Sequence, residues 1–175
     1  MIVADTNLIA YRLIEGEQTE LALAVLAKDP DWRVPPLWRH EFLSVLAMHA
    51  AHGNITESDC LTLFERAVSL LQAGEHQPGL SEALVLALQA RITPYDAQFV
   101  VLARQLGTRL ITSDRELLRK FPGLACSPRG FVEGSGSPHE TAAVYMPRRK
   151  NMSRLRESIA KAEAGKLKKR ALIED

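Results

Sequence analysis

Short apolar runs set between long helical patterns constrain this chain more than any other feature. Met1 to Ala4 is strand-like and ends in Asp5-Thr6-Asn7. Arg109 to Thr112 is a second such run, and Leu124 to Val132 contains a last short strand. Val34-Pro35-Pro36 is short and extended, because each proline biases the residue before it toward β. Runs this short and this apolar read as strands buried on both faces. The stretches between them repeat at helical spacing. Thr19 to Ala27 is one helix, and Leu37 to His52 is another, stopped by Gly53. Thr56, with Asp59 three residues on, opens a helix that reaches about Gln72. Ser81 opens Leu80 to Ala90, Pro94 fits the first turn of a helix ending at Gly107, and Asp114 to Lys120 is a short helix. Strands joined by helices imply a parallel sheet with helices on both faces. Ligands of such sheets gather at the carboxyl ends of the strands.

The composition fits that architecture. At 175 residues, 46% hydrophobic and 25% charged, the chain can bury a core, and wholesale disorder is excluded. No apolar run approaches the length of a membrane span, and the start lacks the basic region of a secretory signal. Cys60 and Cys126, far apart, make neither a disulfide framework nor a zinc cluster, so a reduced, cytoplasmic setting is expected. The net charge of +1 hides an asymmetry. Residues 1–138 hold 12 Lys+Arg against 16 Asp+Glu, and residues 139–175 hold 10 against 5. An acidic body of −4 therefore carries a basic tail of +5. Gly134-Ser135-Gly136-Ser137-Pro138 reads as a linker. The expected division is a body over 1–133, a linker over 134–138 and a tail over 139–175. From Met152 the tail has a helical pattern, with Leu155, Ile159 and Ala162 on one side and an interruption at Gly165.

Most acidic residues lie on solvated faces. Four here stand elsewhere. Asp5 ends the first strand and Asp114 follows the strand Leu110-Ile111-Thr112 after one residue. Glu41 lies within the apolar stripe of its helix, four residues after Leu37 and four before Val45. Asp96 heads a stripe continued by Phe99, Val100 and Ala103. Singly, Asp5 and Asp114 read equally well as helix N-caps, and Asp96 as a charge favoured near a helix N-terminus. Glu41 needs a partner in any reading, because a carboxylate in an apolar stripe is costly alone. If the helices of Glu41 and Asp96 pack on the sheet, the four converge. Converging negative charges are best offset by a hard divalent cation, Mg²⁺ or Mn²⁺, which favours carboxylate and water oxygens. Such a site suits metal-assisted hydrolysis of a phosphodiester.

The same residues carry a resemblance. Val-Ala-Asp-Thr-Asn at 3–7, Pro-Leu-Trp-Arg-His-Glu at 36–41, Thr-Pro-Tyr-Asp-Ala-Gln-Phe-Val-Val-Leu-Ala at 93–103 and Leu-Ile-Thr-Ser-Asp-Arg-Glu-Leu-Leu at 110–118 resemble the PIN-domain ribonucleases. The set is most similar to the VapC-type toxins of bacterial toxin–antitoxin pairs. It covers about three-quarters of the chain, and its strength lies in the order of the four motifs. The resemblance implies a three-layer α/β/α sandwich around a parallel sheet, and Mg²⁺- or Mn²⁺-dependent endoribonuclease activity. It also implies a homodimer and a cognate antitoxin that blocks the site. Asp5 and Asp96 would be the principal metal ligands, with Glu41 and Asp114 completing the acidic site directly or through water. Asn7 and Thr112 would orient the carboxylates. Ser44 departs from the pattern, standing where many relatives have Asn, which weakens the expected support of Glu41.

Other signals are weaker. His49 and His52 have a spacing that can bind zinc, but no third ligand is evident and Gly53 ends the helix. Trp38 reads as core or dimer contact more readily than as a base-stacking platform. Asp5 as a phosphatase nucleophile is disfavoured, because Asn7 stands where the haloacid-dehalogenase pattern wants a second acid. Arg12, Arg115, Arg119 and Lys120 near the strand ends are candidates for local RNA contact on an otherwise acidic body. The tail has three readings: an inert extension, an electrostatic tether to RNA, or an antitoxin-like segment over Arg154 to Arg170 that inhibits in cis. An alternative to the enzyme is a catalytically weak PIN-fold protein that holds RNA or a partner.

Overall fold

The computed structural model describes residues 1–134. The linker beyond Gly134 and the basic tail over 139–175, with its three readings, lie outside the described residues. Four parallel strands form the sheet: β1 (Ile2–Ala4), β2 (Trp32–Arg33), β3 (Leu110–Ile111) and β4 (Ala125–Cys126). Their order is β2-β1-β3-β4. Ile2, Val3 and Ala4 are at most 1% exposed, and Leu110 and Ile111 are fully buried. Successive strand residues face opposite sides, so burial of all of them means that both faces of the sheet are covered. This is the expected three-layer α/β/α arrangement.

Among the described residues eight α-helices connect and cover the strands: α1 (Thr6–Leu13), α2 (Thr19–Lys28), α3 (Trp38–Ala51), α4 (Glu57–Leu71), α5 (Leu80–Ala90), α6 (Pro94–Gln105), α7 (Arg115–Lys120) and α8 (Pro128–Glu133). Their ends follow local chemistry. Thr56 and Asp59 make a reciprocal capping box on α4. Thr93 caps α6 through its hydroxyl, with Pro94 in the first turn. Gly53 and Gly107, just past α3 and α6, take left-handed φ values of 72° and 61°.

The structure departs from the sequence reading in three places. Gly79, not Ser81, is the N-cap of α5, and Ser81 lies inside the helix. The extended segment before α3 begins at Trp32, and only Val34 of Val34-Pro35-Pro36 continues it, as a parallel bridge to Glu75. Proline lacks the amide a ladder needs, so pairing stops there. The region after β4 also contains α8, capped by Ser127, which a six-residue helix with little apolar periodicity does not advertise.

The chain runs from β1 outward to β2 and then crosses back to β3 on the other side of β1. The direction of winding reverses between β1 and β3, so a crevice opens at their carboxyl ends. Backbone pairing sets Val3 against Leu110 and Ala4 against Ile111. Beside β2, the backbone of Gly74 passes so close that an added Cβ would meet the Trp32 carbonyl oxygen at 2.2 Å. Gly74→Ala should therefore cost about 1–3 kcal/mol in urea unfolding. Gly16→Ala, with nothing within 4 Å of the added methyl, should change stability by less than about 0.5 kcal/mol.

Candidate active site

Asp5 is 1% exposed at the carboxyl end of β1. It occupies the N-cap position of α1, yet its side chain makes no capping hydrogen bond. Its Oδ2 instead accepts the hydroxyl of fully buried Thr112 at 2.6 Å, with a longer contact to Asn7 Nδ2 at 3.5 Å. Thr112 lies just beyond β3, where the pairing of β1 with β3 carries it to the level of Asp5. The same hydroxyl accepts the Asp114 amide at 3.0 Å. One buried oxygen thus ties Asp5 to the backbone of Asp114.

Asp114 does cap its helix. Its Oδ1 accepts the amides of Glu116 at 2.8 Å and Leu117 at 3.0 Å, which anchors the start of α7. Glu41 is half-buried on the first turn of α3 and accepts the Thr6 hydroxyl at 2.5 Å. Thr6 is the residue after Asp5 and is itself buried, so α1 presents Asp5 to one side and a donor for Glu41 to the other. Asp96 is 7% exposed on α6, which packs on β1 and β3. Its Oδ2 accepts the Thr93 hydroxyl at 2.6 Å while its amide donates back to that hydroxyl. The α5–α6 loop that delivers Thr93 is held by Lys120, whose ammonium donates to the carbonyls of Ala90 and Arg91.

Threonine hydroxyls therefore orient Asp5, Glu41 and Asp96, and Thr112 reaches the backbone of Asp114. Thr112 stands where the motif put it, and Asn7 contributes more weakly. Thr6 was not singled out in the sequence, although a hydroxyl directly after a strand-end carboxylate was its signal. Ser44 is exposed, and its hydroxyl donates to the His40 carbonyl, so it plays no part in holding Glu41. Tyr11 lies near the same crevice. Burial pushes its phenol above the ordinary range; a hydrogen bond with Ser113 opposes this, and the Asp5 charge adds to it.

The side chains placed here are oxygen donors throughout, which suits a hard divalent cation. Among the described residues, no three His, Cys, Asp or Glu groups by themselves form a metal cage. Mg²⁺ does not require one, since one or two carboxylates suffice and several waters stay bound. Among the described residues His49 and His52 gain no third ligand either. Burial, with the nearby His52 charge, lowers the His49 pKa. Trp38 is fully buried core. Among the described residues no helix is long and apolar enough to cross a membrane.

Comparison with known proteins bears on the family and the fold. A family model described as the PIN domain matches residues 2–123, a span that includes Asp5, Glu41, Asp96 and Asp114. The chain is 30% identical over 126 residues to Ribonuclease VapC3 of Pyrobaculum aerophilum, covering 70% of this chain and 96% of that protein. The crystal structure of PAE2754 from Pyrobaculum aerophilum shares the fold at a TM-score of 0.61 and 19% identity, over 77% of this chain and 88% of that one.

Thr112→Val keeps the shape of the side chain but strips a donor from Asp5 and an acceptor from the Asp114 amide. It should lower stability by about 1–3 kcal/mol, the cost of leaving buried polar groups unpaired. Thr112→Ser should lose less than half as much in the same denaturation experiment.

Proposed function

The chain belongs to the PIN-domain family, and on that premise we propose that it is a metal-dependent endoribonuclease, the toxin of a toxin–antitoxin pair. The observation that carries the reading is Asp5, buried where the sheet reverses its winding and oriented by Thr112 instead of capping its helix. The similarity to a protein named Ribonuclease VapC3 supports RNA as substrate.

In this reading Asp5 and Asp96 are the principal ligands of Mg²⁺, with Mn²⁺ as a substitute. Glu41 and Asp114 complete the site directly or through water. A divalent ion bound there lowers the pKa of a coordinated water and offsets the charge that develops on the scissile phosphate. The protein's own part is orientation. Thr112 and Asn7 fix Asp5, Thr6 fixes Glu41, and Thr93 fixes Asp96, so that the carboxylates need little rearrangement when charge develops. Attack by water in line with the leaving oxygen yields 5′-phosphate and 3′-hydroxyl ends. We assign residues 1–133 to the nuclease unit, 134–138 to a linker and 139–175 to a basic extension. The protein acts in the cytoplasm as a homodimer, and a cognate antitoxin blocks the acidic site.

Purified, antitoxin-free protein should cut total cellular RNA into discrete fragments with Mg²⁺. The fragments should vanish with chelator and in Asp96→Asn. Ends carrying 2′,3′-cyclic phosphate would sink the mechanism, because they mean that the RNA's own 2′-hydroxyl attacked. Equal effects of wild type and Asp96→Asn on RNA would favour a binding protein instead.

Asp114 separates structure from chemistry. Asp114→Ala should cost about 1 kcal/mol of stability as a lost N-cap. Asp114→Asn keeps a capping oxygen and should melt close to wild type, yet cleave at least about 10-fold more slowly.

A further inference from the structure

We propose that Glu75 is a positioning residue for the acidic site: it fixes the first turn of α3 and, through that turn, the carboxylate of Glu41. The inference rests on the ribonuclease reading above and extends it to a residue that none of the four family-like motifs contains.

The start of α3 lacks the usual fastening. Its N-cap is Leu37, which has no side-chain capping bond. Glu75 supplies the restraint from outside. Its Oε1 accepts the Trp38 indole N–H at 2.7 Å and Arg39 Nε at 2.6 Å, so successive residues of the helix converge on one oxygen. Trp38 is fully buried and packs near Phe42 and Phe64, with ring centroids at 6.1 and 6.4 Å. Its N–H has no water to turn to, so the acceptor is obligatory. The Arg39 guanidinium also lies over the Trp38 ring, 5.2 Å from its centroid.

Glu75 is itself fixed to the sheet. Val34 and Glu75 form a parallel bridge, flanked by backbone bonds from Val34 to the Gly74 carbonyl and from His76 to the Val34 carbonyl. The tight passage of Gly74 beneath the Trp32 carbonyl leaves the segment no room to shift inward. A rigid sheet edge therefore grips α3 one turn before Glu41. Trp38 and Glu41 are three residues apart, on neighbouring positions of one helix face. A small rotation of the unclamped turn would move the Glu41 carboxylate away from Thr6 and so away from the residue next to Asp5.

The test uses the full chain and reads cleavage, metal binding and folding in parallel. Glu75→Ala should lower kcat about 10- to 100-fold and weaken Mn²⁺ binding, measured by calorimetry, about 10-fold. KM for RNA should stay within about twofold, since no RNA contact is removed. Glu75→Gln should recover most of both losses, because its amide oxygen still accepts from Trp38 and Arg39. If Glu75→Ala fails to fold, Trp38→Phe removes the indole donor while keeping a ring, and should lower kcat and Mn²⁺ affinity in the same direction. A reduced melting temperature with wild-type kcat and Mn²⁺ affinity per folded molecule would overturn the proposal and leave Glu75 a structural staple. Wild type that neither cleaves RNA nor binds Mn²⁺ would overturn the ribonuclease reading itself, and this proposal with it.

Discussion

The hydrogen bond from Thr112 to Asp5 is the interaction on which the rest depends. A carboxylate at 1% exposure is stable only with donors or an opposite charge beside it. The fold supplies the donor by pairing β1 directly with β3, which brings a threonine one residue past β3 to an aspartate one residue past β1. That pairing is also where the sheet changes its direction of winding. The neighbouring elements elaborate the same junction. Thr112 receives the Asp114 amide, Asp114 starts α7, and α1 starts at Asp5 and turns Thr6 toward Glu41.

The parallel sheet, the helices and the strand-end positions of Asp5 and Asp114 were legible in the sequence because each is a local pattern. So was the capping box of α4, which closes within four residues. The sequence could not decide between capping and site roles, since both put a carboxylate at the same place. The structure divides them: Asp114 caps with its side chain and Asp5 does not. What stayed hidden were polar pairings across long separations. Thr6 and Glu41 are 35 residues apart, and Trp38 and Glu75 are 37 apart. No periodicity records such a pair. Ser44 follows a local rule instead: its hydroxyl donates to the carbonyl four residues back, as serines inside helices do, in keeping with the weakened support of Glu41 expected from the sequence.

The acidic body shapes how an anionic substrate can be received. Several of its cations are already committed to structure. Lys28 donates to the carbonyls of Phe131 and Val132 at the end of α8, Lys120 to those at the end of α5, and Arg33 and Arg39 pair with Asp31 and Glu75. Such groups complement helix C-termini and strand edges more than they draw a polyanion from solution. Affinity for RNA on this body would depend on local shape and on an ion shared with the phosphate, more than on bulk attraction.

The two side chains joined at the centre of the site lie 107 residues apart. A chain emerging during synthesis carries Asp5 from its first moments, but Thr112 follows only after the six helices α1 to α6 have been made, and closing so long a loop costs chain entropy. β3 must then settle between β1 and β4, whose last residue is Cys126. Contacts of such long range repay the entropy of loop closure only once they are made. A nascent or truncated chain that stops short of Thr112 therefore holds Asp5 without the donor that orients it.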